Sequence, residues 1–338
     1  GVTYLDIKSI MGYVYNHKDA TIKATGGNID LSTGQVNLEI KDDFDNTKKE
    51  AYRKFTPIII EGLVEAFSDK NNTTNQTNEG DIKITAHLGD IYVVEGTIRA
   101  NAKQVTSGEK ESAGEVILDA AQNITIGFET ESARADDPTT DAKNDSERGY
   151  YKPKSDYPLD PDPFPTYPSG KDVTISGSNI TLTSGDNEKY YILISNTTTG
   201  SNALPASNTL TASNAITINT DSMNIVGGTF NAGTLNATGA LELSGGTVTS
   251  NGNLTISGAK GLTIGNGAGI STGGNLTITS SNDTVTNNKA LEVTNGSVSM
   301  NGNGGVDNNA SITAKENVSM TSEAGSIDNS SSVTADNG

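Results

Sequence analysis

The side chains best suited to binding chemistry are concentrated in residues 133–170. Tyrosine offers a flat apolar face that ends in a hydroxyl group, which suits both stacking on a sugar ring and contact with protein. Neighbouring lysine and arginine can pair with an acidic group on a ligand. The candidate glycan-binding residues are Arg148, Tyr150, Tyr151, Lys152, Lys154, Tyr157 and Tyr167. The alternative is that these aromatic side chains pack against the rest of the protein.

Residues that could support catalysis or hold a metal are sparse. The chain has no cysteine, which excludes disulfides, thiolate ligands and thiol nucleophiles. Its two histidines, His17 and His87, lie far apart in sequence with no motif around them. Glycoside hydrolysis needs two facing carboxylates, but a chain with 41 acidic residues supplies such pairs by chance. We therefore predict no enzymatic activity, no cofactor and no metal site.

The charge of the chain limits its partners. A net charge of −18 argues against nucleic acid, because binding to phosphates needs clustered lysine and arginine. The absence of cysteine is consistent with export through an oxidising compartment. No apolar run reaches the length of a membrane-spanning helix. Because the sequence begins and ends within its pattern, we expect it to be a fragment of a longer protein.

The elements that position these residues are indicated by an internal repeat. A four-residue motif of Asn, apolar, Thr or Ser, and apolar occurs at Asn253–Ile256, Asn275–Ile278 and Asn317–Met320. Its leading apolar residues recur about every 20 residues. Alternation places the two apolar side chains of each motif on one face of a short strand. Such a strand buries its face only when equivalent strands stack around a shared core.

The repeat predicts an all-β protein, a right-handed parallel β-helix with about three strands in each coil of roughly 20 residues. A narrow core of this kind needs only small apolar residues, which explains how a 33% hydrophobic content suffices. An antiparallel sandwich has no reason to repeat one motif at this period. Leucine-rich repeats share the period but need several leucines and a helical segment in each repeat.

Two segments interrupt the repeat and divide the chain. We expect residues 1–170 to be coils broken by insertions at about 43–80 and 133–170, and residues 171–338 to be regular coils of the same solenoid. In the first insertion, Thr56 and Pro57 precede an apolar run and predict a short α-helix whose apolar side lies on the solenoid. The second holds seven of the nine prolines, which lack the backbone donor that a sheet requires.

Sequons of the form Asn-x-Ser/Thr are frequent. Many coincide with the repeated motif, where asparagine is explained by a turn position or by stacking of amide side chains. We therefore expect glycosylation at sequons in loops rather than at those that begin strands. The candidates are Asn71, Asn75, Asn144 and Asn196.

The repeats of residues 171–338 resemble those of one family. The segments Gly274–Ile278, Gly304–Asn308 and Gly325–Asn329 are similar to motifs of the filamentous-haemagglutinin class of two-partner-secreted exoproteins, which includes the high-molecular-weight adhesins of non-typeable Haemophilus. The resemblance implies a cell-surface adhesin exported by an outer-membrane β-barrel transporter. It also implies binding to host-cell sialylated glycoproteins or glycans, and modification by a cytoplasmic Asn-glycosyltransferase. A passive β-helical stalk and, less favoured, a polysaccharide-degrading enzyme are the alternatives.

Overall fold

The computed structural model describes most of the chain as one series of stacked coils. The described residues are 5–9, 14–34, 57–67, 80–101, 114–127, 172–185, 192–194, 208–225 and 227–338. They form 31 strands, and all strand pairs are parallel. The described ranges contain no helix. Each coil supplies one strand to each of three faces, so the prediction of a three-stranded parallel β-helix is confirmed. We number these faces 1, 2 and 3 in the order in which the chain visits them.

Face 1 carries the repeated motif. Its strands are β1 (Leu5–Ser9), β4 (Ile29–Thr33), β7 (Ile82–Ala86), β10 (Val116–Ala120), the second half of β12 (Val173–Thr183), the second half of β14 (Asn208–Asn219), β17 (Thr234–Ala237), β20 (Leu254–Gly258), β23 (Leu276–Ser280), β26 (Val298–Gly302) and β29 (Val318–Thr321).

Face 2 is made of shorter strands in two sheets, one of five strands and one of six. The strands are β2 (Val14–Asn16), β5 (Ile58–Ile60), β8 (Ile91–Val93), β11 (Ile124–Ile126), β13 (Ile192–Ile194), β15 (Ser222–Ile225), β18 (Ala240–Leu243), β21 (Leu262–Ile264), β24 (Thr284–Asn287), β27 (Gly305–Asn308) and β30 (Ile327–Asn329).

Face 3 closes each coil. Its strands are β3 (Thr21–Ala24), β6 (Leu63–Phe67), β9 (Gly96–Asn101), the first halves of β12 and β14, β16 (Thr229–Asn231), β19 (Thr247–Ser250), β22 (Gly269–Thr272), β25 (Leu291–Val293), β28 (Ile312–Ala314) and β31 (Val333–Ala335). Because β12 and β14 each serve two faces, the 31 strands make eleven coils.

The core consists of columns of aliphatic side chains that run along the stack. On face 1, Ile82 pairs in register with Ile29 on one side and with Val116 on the other. Val116 pairs in turn with Ile180, and all four side chains are at most 1% exposed. β-branched residues suit this environment, because their stiff side chains pack well against like neighbours on a pleated surface.

The asparagine that opens the motif connects one coil to the next. Asn253 Oδ1 accepts a hydrogen bond from the backbone N–H of Asn275 at 2.9 Å, and Asn275 Oδ1 accepts one from the N–H of Ser297 at 2.9 Å. In the N-terminal coils, Asn28 Oδ1 accepts the N–H of Asp81 at 3.0 Å in the same way. In these three coils the asparagine side chain therefore satisfies a backbone donor just before the strand of the next coil.

The register of the motif differs from the sequence expectation at one coil. The repeat of about 20 residues predicts that Leu235 pairs with Leu254, the first apolar residue of the next motif. The structure instead pairs Leu235 with Ile256. From Leu254 onwards the expected alignment with Leu276 and Val298 holds. A shift of two residues keeps every side chain on its own face, which is why the coil accommodates it.

The short α-helix expected after Pro57 is wrong. Residues 58–67 form β5 and β6, which are strands of the second coil. Ile58 and Ile60 point into the core and are fully buried. Gly62 forms the corner between the two strands, where a Cβ would overlap the backbone oxygens of His17 and Ala20. This segment is therefore not part of an insertion, and the rest of the 43–80 insertion lies outside the described residues.

Candidate functional site

The glycan-binding residues and glycosylation candidates predicted from sequence lie outside the described residues. This applies to Arg148, Tyr150, Tyr151, Lys152, Lys154, Tyr157, Tyr167, Asn71, Asn75, Asn144 and Asn196. The structure does describe the strands on either side of the segment that contains the tyrosines. The N–H of Gly127, after β11, donates to Val93 O at 2.8 Å, and Asp172 O, before β12, accepts the N–H of Gly96 at 3.1 Å. Both ends of the segment are thus anchored at one corner, between β8 and β9.

The outer surface of face 2 beside that corner carries a small apolar cluster. Ile59 points away from the core yet is only 5% exposed, because Val94, Tyr15 and Tyr92 pack around it. The Tyr15 hydroxyl donates to Glu61 Oε2 at 2.6 Å. This hydrogen bond holds Tyr15 in place, and a second one holds Tyr92. We therefore assign this cluster a structural role.

Asp90 fixes the second of these tyrosines. The Tyr92 hydroxyl donates to Asp90 Oδ2 at 2.8 Å, while Asp90 Oδ1 accepts the backbone N–H of Asn123 at 2.8 Å. Burial raises the pKa of Asp90, and these hydrogen bonds offset part of that rise. The Asp90 carboxyl group thus connects two coils by accepting a backbone N–H of the next coil. The amide oxygens of Asn28 and Asn275 make the same kind of connection on face 1.

A charged cluster lies on face 3 of the same coils. Lys23, Glu65 and Arg99 occupy equivalent positions of β3, β6 and β9, and the sheet register places them side by side. Lys23 Nζ lies 3.0 Å from Glu65 Oε2, and Arg99 Nη2 donates to Glu65 Oε1. The Glu65 side chain is 5% exposed, whereas the two cationic side chains are each 45% exposed. Lys23 Nζ also lies 4.9 Å from the centroid of the Phe67 ring.

The two cations keep Glu65 ionised. Burial alone would raise the pKa of Glu65, but hydrogen bonds from Lys23 and Arg99, together with their positive charges, lower it below the ordinary value of 4.5. A carboxylate with two cationic neighbours leaves this cluster with one net positive charge. That sign is unusual in a chain whose net charge is −18.

Replacing Glu65 with Gln is expected to weaken the acid dependence of stability. Because folding lowers the pKa of Glu65, the ionised carboxylate contributes stability above pH 4.5 that is lost as the pH falls through the folded-state pKa. The half-exposed partners limit this contribution to about 1 kcal/mol. Asp90 has the opposite effect on the pH dependence of stability: because folding raises its pKa, its contribution favours the folded state more at low pH than at high pH. Urea denaturation at neutral and acidic pH measures the effect, and equal acid sensitivity in both proteins would contradict it.

The two histidines belong to no candidate site in the described coils. His17 makes an edge-to-face contact with Tyr15, with ring centroids 5.8 Å apart, and its Nδ1 lies 3.8 Å from Asp19 Oδ2. His87 is exposed. Among the described residues, no three histidine or acidic side chains come together in a way that could hold a metal ion. The same residues include no helix of the length and apolar character needed to cross a membrane.

Sequence reasoning did not identify the cluster of Lys23, Glu65 and Arg99. The signal was present, because Glu65 and Arg99 each follow a corner glycine, Gly62 and Gly96, at the same spacing. Equal spacing after equivalent corners places side chains in register on neighbouring coils. Recognising it required the strand assignment of residues 58–67, which the predicted helix had obscured.

Comparison of the chain with family models, with curated proteins and with solved structures finds no match.

Proposed function

We propose that this chain is part of a bacterial cell-surface adhesin that binds host-cell glycans, with sialylated glycoproteins as its receptors. The observation that carries the proposal is that Gly127 and Asp172, the described residues on either side of residues 128–171, are both hydrogen-bonded at the corner between β8 and β9. Strands on both sides of the segment belong to the stack, since β11 pairs with β8 and β12 pairs with β9. Binding residues are commonly found on segments held by such a rigid scaffold, and this one is rich in tyrosine.

The proposal extends to export and modification through the resemblance of the repeats. A chain of this class would be secreted by an outer-membrane β-barrel transporter and remain at the cell surface. A cytoplasmic glycosyltransferase would modify Asn71, Asn75, Asn144 and Asn196. Supporting this choice of sites, the amide nitrogens of three sequons in the coils, Asn123, Asn179 and Asn309, donate to the preceding coil. Asn309 Nδ2, for example, donates to Asn288 Oδ1 at 2.9 Å.

Replacing Tyr150 and Tyr151 together with Ala is expected to abolish adhesion to host cells while leaving the melting temperature unchanged. The physical reason is that the variant loses two aromatic faces for sugar stacking but no side chain of the described core. Adhesion of purified protein to cultured cells, combined with thermal unfolding, measures both quantities. Unchanged adhesion would remove the tyrosines from the site.

Two controls sharpen this experiment. The Tyr150→Phe and Tyr151→Phe double variant keeps the rings and loses only the hydroxyls, so it should retain more binding than the alanine variant. A glycan array probed before and after sialidase treatment tests the receptor class. Loss of signal after treatment supports sialylated receptors, whereas unchanged signal would point to neutral sugars.

A passive stalk is the second candidate function. The observation that favours it is the long stack in residues 227–338. The structure describes this range without a gap, and each of its strands is joined to the next by a short turn. A glycan array without any signal would support the stalk and contradict the adhesin. The polysaccharide-degrading enzyme is the least favoured candidate, and release of reducing ends or unsaturated sugars from a polysaccharide would be needed to support it.

A further inference from the structure

Face 3 of the N-terminal coils carries a small excess of positive charge on its outer surface. Among the described residues from β3 to β22, the charged side chains on its outer surface are Lys23, Glu65 and Arg99, which sum to one positive charge. On face 1 of the same coils, in contrast, the outward charged side chains sum to one negative charge: Asp6, Lys8, Asp30, Lys83 and Asp119. An acidic ligand therefore meets the least electrostatic repulsion on face 3 of the N-terminal coils.

The two cations are positioned to accept an acidic group. Glu65 is almost buried and pairs with both cations from the strand between them, while 45% of each cationic side chain remains exposed. Arginine has five N–H donors in a planar fork, and Glu65 accepts a hydrogen bond from Arg99 Nη2. A carboxylate from outside can pair with the other donors, an interaction in which arginine favours two parallel hydrogen bonds.

Uncharged polar side chains continue the surface along the stack. Arg99 is in register with Ser176, and Thr97 is in register with Thr174. Two outward columns of hydroxyl and amide groups extend from them, formed by Thr97, Thr174, Thr209, Thr229 and Thr247 in one and by Ser176, Thr211, Asn231, Thr249 and Ser271 in the other. Hydroxyl groups both donate and accept hydrogen bonds, as the hydroxyls of a sugar do.

The dimensions of the columns suit a chain of sugars. Adjacent strands of the sheet are about 4.8 Å apart, which is close to the length of one sugar ring in a linear glycan. Successive sugar units can therefore meet successive coils. Phe67, beside Lys23, adds a partly exposed aromatic ring at the cationic end of the surface.

From these observations we infer that face 3 of the N-terminal coils binds a linear acidic glycan along the stack, with a sugar carboxylate at Lys23 and Arg99. The inference rests on the proposed function for its ligand class. It differs from that function in the site, because no residue of the 133–170 segment is involved. The shared chemistry is a carboxylate on a sugar ring, which either a terminal sialic acid or an internal uronic acid provides.

Two substitutions in the cluster are expected to change affinity in opposite directions. Arg99→Gln removes a cation and should weaken binding of an acidic oligosaccharide about tenfold. Glu65→Gln removes the competing carboxylate and should strengthen binding several-fold. Both variants break the same ion pair, so a loss of stability would shift both affinities in the same direction and cannot imitate this result.

The experiment uses the full chain and three defined probes. Isothermal titration with sialyllactose, with a hyaluronan tetrasaccharide and with lactose separates a terminal sialic acid, an internal uronic acid and a neutral sugar. Lys260→Gln is the matched control, because Lys260 is an exposed cation paired with Asp221 at 2.7 Å elsewhere on the stack. Binding of either acidic probe with the opposite effects of the two variants, and no effect of the control, supports the site.

The outcomes also separate this site from the tyrosine segment. Equal binding by wild type, Arg99→Gln and Glu65→Gln, or binding of lactose as tight as that of the acidic probes, overturns the inference. If only the Tyr150→Ala and Tyr151→Ala variant loses binding, the face 3 site is wrong and the proposed function stands. If only the Arg99 variant loses binding, face 3 is the binding site and the tyrosine assignment is wrong.

Discussion

Replacing Gly96 with Ala is expected to destabilise the N-terminal coils by about 3 kcal/mol or more. Gly96 lies at the corner between β8 and β9 with φ at 99°, a backbone conformation that side chains rarely tolerate. A Cβ at this position would lie 2.7 Å from Glu61 O and closer still to Gly62 O. Those oxygens belong to the backbone of the preceding coil, so the clash cannot be relieved by rotating a side chain.

Gly252 provides the matched control for this substitution. It also lies in a turn between two coil strands, β19 and β20, but a Cβ there would meet nothing within 4 Å. Gly252→Ala should therefore be neutral or slightly stabilising, because alanine reduces the entropy of the unfolded chain. Urea denaturation followed by circular dichroism compares the two variants. Equal stability of both variants would contradict the close packing of this corner.

The Gly96 variant also tests the proposed function. The N–H of Gly96 donates to the backbone oxygen of Asp172, the described residue that follows residues 128–171. Distortion of this corner should therefore reduce glycan binding by the tyrosine segment at temperatures where the C-terminal coils remain folded. Repeat proteins permit such local loss, since each coil contacts only its neighbours.

Replacing Asn308 with Ala is expected to destabilise the C-terminal coils by about 3 kcal/mol. Asn287 and Asn308 are fully buried at the end of an inward-facing column on face 2. Asn287 Nδ2 donates to Asn308 Oδ1 at 2.8 Å, and Asn308 Nδ2 donates to Asn329 Oδ1 at 2.7 Å. The alanine variant loses both hydrogen bonds and leaves the Asn287 donor buried without this acceptor, which costs more than the bonds themselves.

Asn309 offers a control of the same residue type at the next position. It takes part in an equivalent amide contact, with Asn288, but its side chain is exposed. Water can replace that contact, so Asn309→Ala should cost less than about 1 kcal/mol. Hydrogen exchange of the β24, β27 and β30 amides localises the difference. Similar protection in the two variants would mean that burial of the ladder contributes little.

The predicted helix at residues 57–67 shows where local signals were misleading. Thr56 and Pro57 are a genuine helix start by local criteria, and the following apolar run is compatible with a helical face. Residues 58–60 are, however, three consecutive β-branched isoleucines, and Gly62 interrupts the run. Two short strands separated by a glycine corner explain both features. Because residues 63–67 were predicted to be helical, the position of Glu65 between Lys23 and Arg99 on neighbouring strands could not be predicted.

The sequence by itself determined the architecture, because a repeat of about 20 residues with alternating apolar positions has one economical way to bury its apolar faces. It also indicated that asparagine at the start of the motif has a structural role, as the hydrogen bonds of Asn253 and Asn275 illustrate. These conclusions depend only on short-range spacing, which is written directly in the chain.

Only the tertiary structure decided which residues from different coils become neighbours. The register of Leu235 with Ile256 and the alignment of Lys23, Glu65 and Arg99 depend on the length of every intervening corner and excursion. Within a strand pair, a register slip of one residue would turn every side chain of that strand to the other face. Contacts between residues that are 34 or more positions apart, such as Arg99 with Glu65, therefore emerge only when the coils are stacked.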